Sequence, residues 1–428
     1  MKINIFWFRR DLRLDDNNAL FQAASSGLPV LPLFIFDSNI TDELTTDDPR
    51  ITFIFETLFA INSKLAEYGS SVLILKGDPE SLLEELVRSY DINAVYVNKD
   101  YEPYAIKRDN AIEYFLKKHG IAFQKFKDQV IFEEEEIIKS DNKPYTVFTP
   151  YKNRWLKNLE AKLPLRIFDS SHVKQFYSKT FDFPVAGKLG FKISSLKVKP
   201  PDLNAIKEYH KFRDYPAMDK TTYLGPHLRF GTVSIRKMID HAMQENQVFL
   251  SELIWREFFM QILFSFPHVV TGNFKSKFDN IQWRNNEMEF ERWCRGETGY
   301  PIVDAGMRQL NETGFMHNRV RMITAGFLCK HLLIDWRWGE AYFAHKLLDY
   351  ELSSNNGNWQ WTAGTGCDAV PYFRIFNPGL QSQKFDSEGE YVRRWIPDRL
   401  GKDNLKPIVD HIFARQRAIS AYRSGLKF

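Results

Sequence analysis

A chain of 428 residues has length for two or three domains, each with a substantial core of its own. Its formal charge of +4 and pI near 8.6 permit a local nucleic-acid patch and exclude a polybasic binder. The three cysteines, Cys294, Cys329 and Cys367, lack CxxC spacing, which excludes a four-cysteine metal or iron–sulfur site within one chain and points to a reducing compartment. No signal-peptide core opens the sequence, and charges interrupt every apolar run before membrane-spanning length. The expectation is a soluble, cytoplasmic monomer with no membrane partner and no metal.

From residue 1 to about 125, short apolar runs alternate with amphipathic ones. INIFWF, PVLPLFIF, SVLILKG and NAVYVN read as strands buried on both faces, with helical periodicity between them. This βαβ series predicts a doubly wound parallel sheet, an α/β domain over 1–130. No G-x-G-x-x-G follows the first strand, which argues against a nicotinamide-dependent dehydrogenase. That strand runs instead into the charged loop RRDLRLDDN, at the carboxyl edge where such sheets bind ligands. Residues 131–202 lose the rhythm. EEEE at 133–136 reads as a solvated acidic edge, and the remainder as a long interdomain linker. Residues 203–428 read as an all-α domain, with helices expected at 203–213, 232–244, 249–265, 300–313, 317–333, 338–349 and 406–424.

The densest stretch is 336–361, WRWGEAYFAHKLLDYELSSNNGNWQW, which holds four of the ten tryptophans. Asp349 and Glu351 read as lying within an apolar helical run, where a carboxylate needs a cation or a hydrogen-bond donor. Just upstream, FMHNRVRM at 315–322 offers Asn318, Arg319 and Arg321. TGFMHNRVRMITAGFL followed by DYELSSNNGNWQW resembles the flavin-binding core of the photolyase/cryptochrome family, and within it class I photolyases of cyclobutane pyrimidine dimers. The resemblance runs from FWFRRDLRLDDNNAL at 6–20 to PIVDHIFARQ near 416, so it covers nearly the whole chain.

The resemblance implies FAD as catalytic cofactor. Tyr209, Arg213 and the run DKTTYLGPHLRFG at 219–231 match the family's diphosphate-binding segment through Thr221, Thr222 and Leu224. Gly225 stands where the family usually has serine, which removes one hydroxyl contact. Hydroxyls, backbone N–H groups and a helix N-terminus suit such an anion. Arg256, Asn318, Arg321, Asp349, Glu351 and Asn355 match the bed of the flavin ring. Asn355 aligns with the residue facing flavin N5, where an amide hydrogen-bonds without adding charge. Plant and animal cryptochromes tend to place Asp and Cys there, so Asn355 favours repair over signalling. Trp359, Trp336 and Trp283 match the tryptophan triad that carries electrons to the flavin, with Trp338 and Trp293 as confusable neighbours.

The implied activity is blue-light repair of cyclobutane dimers in DNA by electron transfer from the reduced flavin to a flipped-out lesion. Photolyases are themselves a known example of base-flipping enzymes. The implied catalytic residues are Glu252, Trp255, Asn318, Asn355 and Trp361, with Glu252 steadying charge on a pyrimidine carbonyl as a protonated or hydrogen-bonding carboxyl. Trp255, Met322 and Trp361 line the lesion side, and Arg319, Arg374 and Lys384 hold the DNA backbone. The rivals within the family are a (6-4) photolyase, which has histidines where this chain has Asn318 and Met322, and a cryptochrome. A second, antenna chromophore is allowed, with folate, a deazaflavin or another flavin all open. Glu102 matches a folate-contacting glutamate of some relatives.

Overall fold

The computed structural model describes residues 1–169, 175–397 and 406–426, and these form two compact units. Unit 1 comprises Met1–Glu136, Leu156–Pro201 and Tyr223–Gln244; unit 2 comprises Ile137–Trp155, Asp202–Thr222 and Glu245–Phe428. This is a different cut of the chain from one at 130 and 202.

Unit 1 is built on a five-stranded parallel sheet, β1 (Ile3–Phe8), β2 (Val30–Asp37), β3 (Leu73–Gly77), β4 (Ile92–Asn98) and β5 (Ala122–Phe126), in the order β3-β2-β1-β4-β5. Alternation along the strands feeds two cores. Phe6, Phe8, Phe34 and Phe36 pack on one face, and Ile3, Ile5, Trp7, Leu31, Leu33 and Ile35 on the other. Helices Pro49–Ala66 and Pro79–Ser89 start where Asp48 and Asp78 cap the backbone and proline takes the first helical position. The fifth strand was not among those expected: AFQKF alternates partly exposed residues at the sheet edge, so its apolar signal is weak.

The loop after β1 is not a solvated one. Arg13 bridges to Asp128 at 2.7 Å, Arg236 pairs with Asp16 at 2.9 Å and with Asp128 at 2.8 Å, and Asp16 is fully buried. Burial works against the Asp128 carboxylate, but the guanidiniums of Arg13 and Arg236 outweigh it and hold its pKa below the usual range. At the same edge Glu102 pairs with Arg10 at 3.0 Å and Arg229 at 2.9 Å. The expected acidic edge is also engaged: Glu133 pairs with Lys99 at 3.1 Å, and Glu136 with Lys127 and Lys162. Within the expected linker, Phe176, Ala186 and Phe191 join the core of unit 1, and Val30 donates to Gln175 O at 2.7 Å.

Unit 2 is helical. Four helices matter most for the site: α1 (Gln247–Ser265), α2 (Asn318–Gly326), α3 (Trp336–Lys346) and α4 (Leu352–Ala363). The expected helix 317–333 becomes α2 followed by a π-helical turn, Phe327–Leu332. The helix expected over 338–349 ends at Lys346, so Asp349 and Glu351 lie in the connection between α3 and α4 instead of inside a helix. Shorter helices at Glu287–Cys294, Pro378–Phe385 and Glu390–Trp395 carry too few turns for a clear period. Among the described residues, no helix is long and apolar enough to cross a membrane.

Candidate functional site

The site grows from one face of α1. Residues 252, 255, 256 and 259 follow the i, i+3, i+4, i+7 rule, so Glu252, Trp255, Arg256 and Phe259 share a face. Phe259 sits against Gly357 of α4, where an added Cβ would come within 2.2 Å of its ring. The missing side chain thus sets how closely α4 lies on α1. Trp255 stacks on Phe148 with ring centroids 3.6 Å apart and planes 8° from parallel. One face of the indole is therefore covered by the protein, which leaves only its remaining surface for a ligand.

Ion pairs then lock the polar rim. Arg256 reaches Glu351 at 3.1 Å, and Arg321 reaches Asp349 at 2.9 Å while donating to Met316 O at 2.8 Å. Both acids sit just before α4, so the α3–α4 connection is held by cations from α1 and α2. Arg213 bonds Glu252 at 2.6 Å, and the adjacent Asp214 holds Arg319 at 2.6 Å. Burial opposes the charge on Arg213, but the carboxylate of Glu252 outweighs it and raises its pKa further. The Glu252 carboxyl accepts from the Arg213 guanidinium, a partner that the sequence reading did not give it. Arg319, besides its bond to Asp214, lies over the Phe385 ring at 4.3 Å. Tyr209 packs edge-on against Phe249, beneath the Arg213 guanidinium at 5.3 Å.

On α4, Asn355 donates through Nδ2 to Glu340 Oε1 at 2.8 Å and to Glu340 O at 3.1 Å. Burial pushes the Glu340 carboxyl up, partly countered by this bond. With both amide hydrogens engaged, what Asn355 offers a further partner is its carbonyl oxygen. Asn356 and Gln360, one turn apart, both donate to Val269 O, which pins the helix from its other side.

The expected triad is gathered in unit 2. Trp336 and Trp359 belong to its main core and Trp283 packs against it. The Trp359 ring lies so close to α3 that a Cβ on Gly339 would meet it at 2.1 Å. Trp338 packs against the same core, and Trp293 makes a ring contact of its own with Trp359 at 6.2 Å. Trp283 touches Tyr422 at 5.9 Å. Trp361 and Met322 are half-buried, while Asn318, Arg374 and Lys384 are exposed.

The flavin expectation can be tested on the donors and acceptors present. Thr221 Oγ1, Asp349 Oδ1 and Ser353 Oγ are buried without a hydrogen-bond partner among the described residues. Buried polar atoms are costly when unmatched, so these three, with Asp349 in the Arg321 pair and Ser353 in the first turn of α4, fit a polar ligand. The residues fit a flavin: an acceptor carbonyl on Asn355, the guanidiniums of Arg256 and Arg321, and hydroxyls on the 221 side. Thr221 and Thr222 belong to unit 2, whereas Leu224 lies beyond the chain's crossing into unit 1. Ser353, Glu340 and Asp214 were not picked out from the sequence, since each acts through a partner remote in the chain or carries no motif of its own.

Residues 4–167 match the family model described as DNA photolyase, and residues 249–400 the one described as the FAD binding domain of DNA photolyase. The deoxyribodipyrimidine photo-lyase of Agrobacterium fabrum is 36% identical, over 99% of this chain and 98% of its own. Among solved structures, a bacterial class III photolyase from Agrobacterium tumefaciens superposes with TM-score 0.86 at 35% identity, covering 100% of this chain and 98% of that one. An archaeal photolyase from Sulfolobus tokodaii with two FAD molecules gives 0.84 at 33% identity, over 99% and 100% of the two chains.

Proposed function

This chain belongs to the photolyase/cryptochrome family, and from that premise we propose that it is a deoxyribodipyrimidine photo-lyase, repairing cyclobutane pyrimidine dimers in DNA under blue light. The observation that carries the reading is the Asn355–Glu340 pair, together with the Arg256–Glu351 and Arg321–Asp349 bridges that hold the segment leading into the helix of Asn355. Bound FAD supplies light absorption and the transferable electron. The chain's own residues do the rest. Arg256, Arg321, Asp349, Glu351, Asn318 and Asn355 hold the flavin ring. Tyr209, Arg213, Thr221 and Thr222 serve its diphosphate.

Trp255 and Trp361 offer flat surface to the lesion, with stacking worth roughly 1–3 kcal/mol per base. Met322 fills the space beside them. Glu252, hydrogen-bonded to Arg213, serves with that guanidinium to steady charge that develops on a pyrimidine carbonyl. Arg374 and Lys384 are exposed cations for the phosphates, and Arg319 serves with them. Trp359, Trp336 and Trp283 form the electron wire. A second chromophore in unit 1 stays within the proposal, supported by the two flavins of the archaeal relative. Three free cysteines suit a cytoplasmic protein, which we take to be monomeric.

His317 speaks against the (6-4) reading. It is 3% exposed, its Nδ1 accepts from Arg319 N at 3.2 Å, and burial together with Arg321 lowers its pKa to about 4. A neutral, helix-capping imidazole is no acid for a lesion. The test is reduced protein with two oligonucleotides, each carrying one defined lesion, under blue light and in darkness. Light-dependent repair of the cyclobutane dimer alone is expected. Repair of only the (6-4) product overturns the substrate, and repair of neither by flavin-loaded protein overturns the activity.

A further inference from the structure

Resting on the electron-wire reading above, we propose that the Asn273–Asp279 pair steers the oxidising equivalent from Trp359 onto Trp336 and away from Trp293. Trp359 has two indoles to choose between. Trp293 is in ring contact with it at 6.2 Å, and Trp336 stands on the helix whose Gly339 the Trp359 ring overlies. Both candidates are buried in the same core, at 0% and 1% exposure. Burial therefore does not distinguish them. Their hydrogen bonds do.

Trp293 Nε1 donates to a neutral backbone carbonyl, Thr324 O, at 3.1 Å. Trp336 Nε1 donates to Asn273 Oδ1 at 2.9 Å, and Asn273 Nδ2 donates in turn to Asp279 Oδ1 at 2.7 Å. The amide can stand only this way round, because an indole N–H cannot accept and a carboxylate cannot donate. Asn273 is 4% exposed, whereas Asp279 is at the surface. A surface carboxylate is thus connected to a buried indole through one polarised amide. Donation to a carboxylate makes the amide oxygen a stronger acceptor, which stabilises positive charge on the indole. The opposing cation, Arg337, lies 4.9 Å over the Trp336 ring but is neutralised by Asp335 at 2.8 Å.

The relay works as a dipole and not as a proton path. An amide oxygen is too weak a base to keep the indole proton, so oxidised Trp336 stays a cation and can be refilled. The balance is one electron from Trp336 to oxidised Trp359, one from Trp283 to Trp336, and one from a thiol reductant in solution to Trp283. The primary oxidant is the photoexcited oxidised flavin. A hole on Trp293 leads off this path.

The test compares D279N, N273L and N273L/W293F with the parent protein. In 15N spectra recorded in darkness, the Trp336 indole resonance, assigned with W336F, should move upfield in D279N and further in N273L. Flavin photoreduction with thiol should drop about threefold in D279N, whose exposed charge is screened, and about tenfold in N273L. Removing Trp293 should restore much of the N273L loss, and the transient absorption of the tryptophan cation should return with it. Unchanged photoreduction in N273L and D279N overturns the proposal, as does a loss in N273L that W293F leaves in place. Photoreduction surviving in W336F overturns the wire reading itself, so the two failures are distinct.

Discussion

Asn355 has both amide hydrogens committed to Glu340, so the direction of its carbonyl is decided by a residue on another helix. Glu340→Leu removes the side-chain acceptor and frees the amide to turn. Glu340→Gln retains an acceptor oxygen and so preserves the orientation. We expect the repair rate at saturating light to fall roughly tenfold in the leucine variant and to stay near parent in the glutamine variant. Equal loss in both would assign the effect to the charge of Glu340, not to its grip on Asn355. The same logic applies to Arg213, whose 2.6 Å bond to Glu252 ties the orientation of its guanidinium to a residue of α1.

Two glycines set how closely aromatic rings lie on neighbouring helices, Gly357 for Phe259 and Gly339 for Trp359. Gly357→Ala would drive a methyl into the Phe259 ring, and Gly339→Ala into Trp359. Each is expected to lower stability by about 1–3 kcal/mol, read as a shift in urea midpoint with the slope unchanged. Gly339→Ala should also depress photoreduction, because the ring that must move is Trp359 itself. Much of this architecture was legible beforehand. The unbroken apolar runs of β1 and β2 give a parallel sheet, and the spacing within SELIWREFF places its residues on a helix, whereas α4, rich in Ser, Asn and Gly, was not among the expected helices. What stayed illegible depends on partners far along the chain. Glu340, Asp214 and Asn273 look like surface residues until the fold brings Asn355, Arg319 and Trp336 to them. Asp349 and Glu351 were misplaced because apolar residues continue through the turn that ends α3.

At the scale of the whole molecule, buried bases govern the response to acid. His317 and His331 have pKa values lowered to about 4 and about 3, burial being the main cause in both. Both are neutral when folded, while the unfolded chain takes up protons below about 6.5. Between pH 6.5 and about 3 the unfolded state holds more protons, so stability drops as pH falls through that window. Lys330, lowered to about 7 by burial, acts higher up: its penalty is present below pH 7 and is relieved as pH rises toward 10.5. Urea midpoints should therefore decline from pH 6.5 to 4, with a shallower decline in His317→Asn, which retains a helix cap. A flat profile would refute this account. The way the units draw on the chain has a separate consequence for synthesis on the ribosome. Unit 1 needs residues up to Gln244, and Arg236 is the cation that pairs with its buried Asp16. A nascent chain that has emerged only through β5 holds a complete set of strands but not a finished unit. Its closure must wait until the segment 223–244 has left the exit tunnel, well after the first stretch of unit 2 has been made.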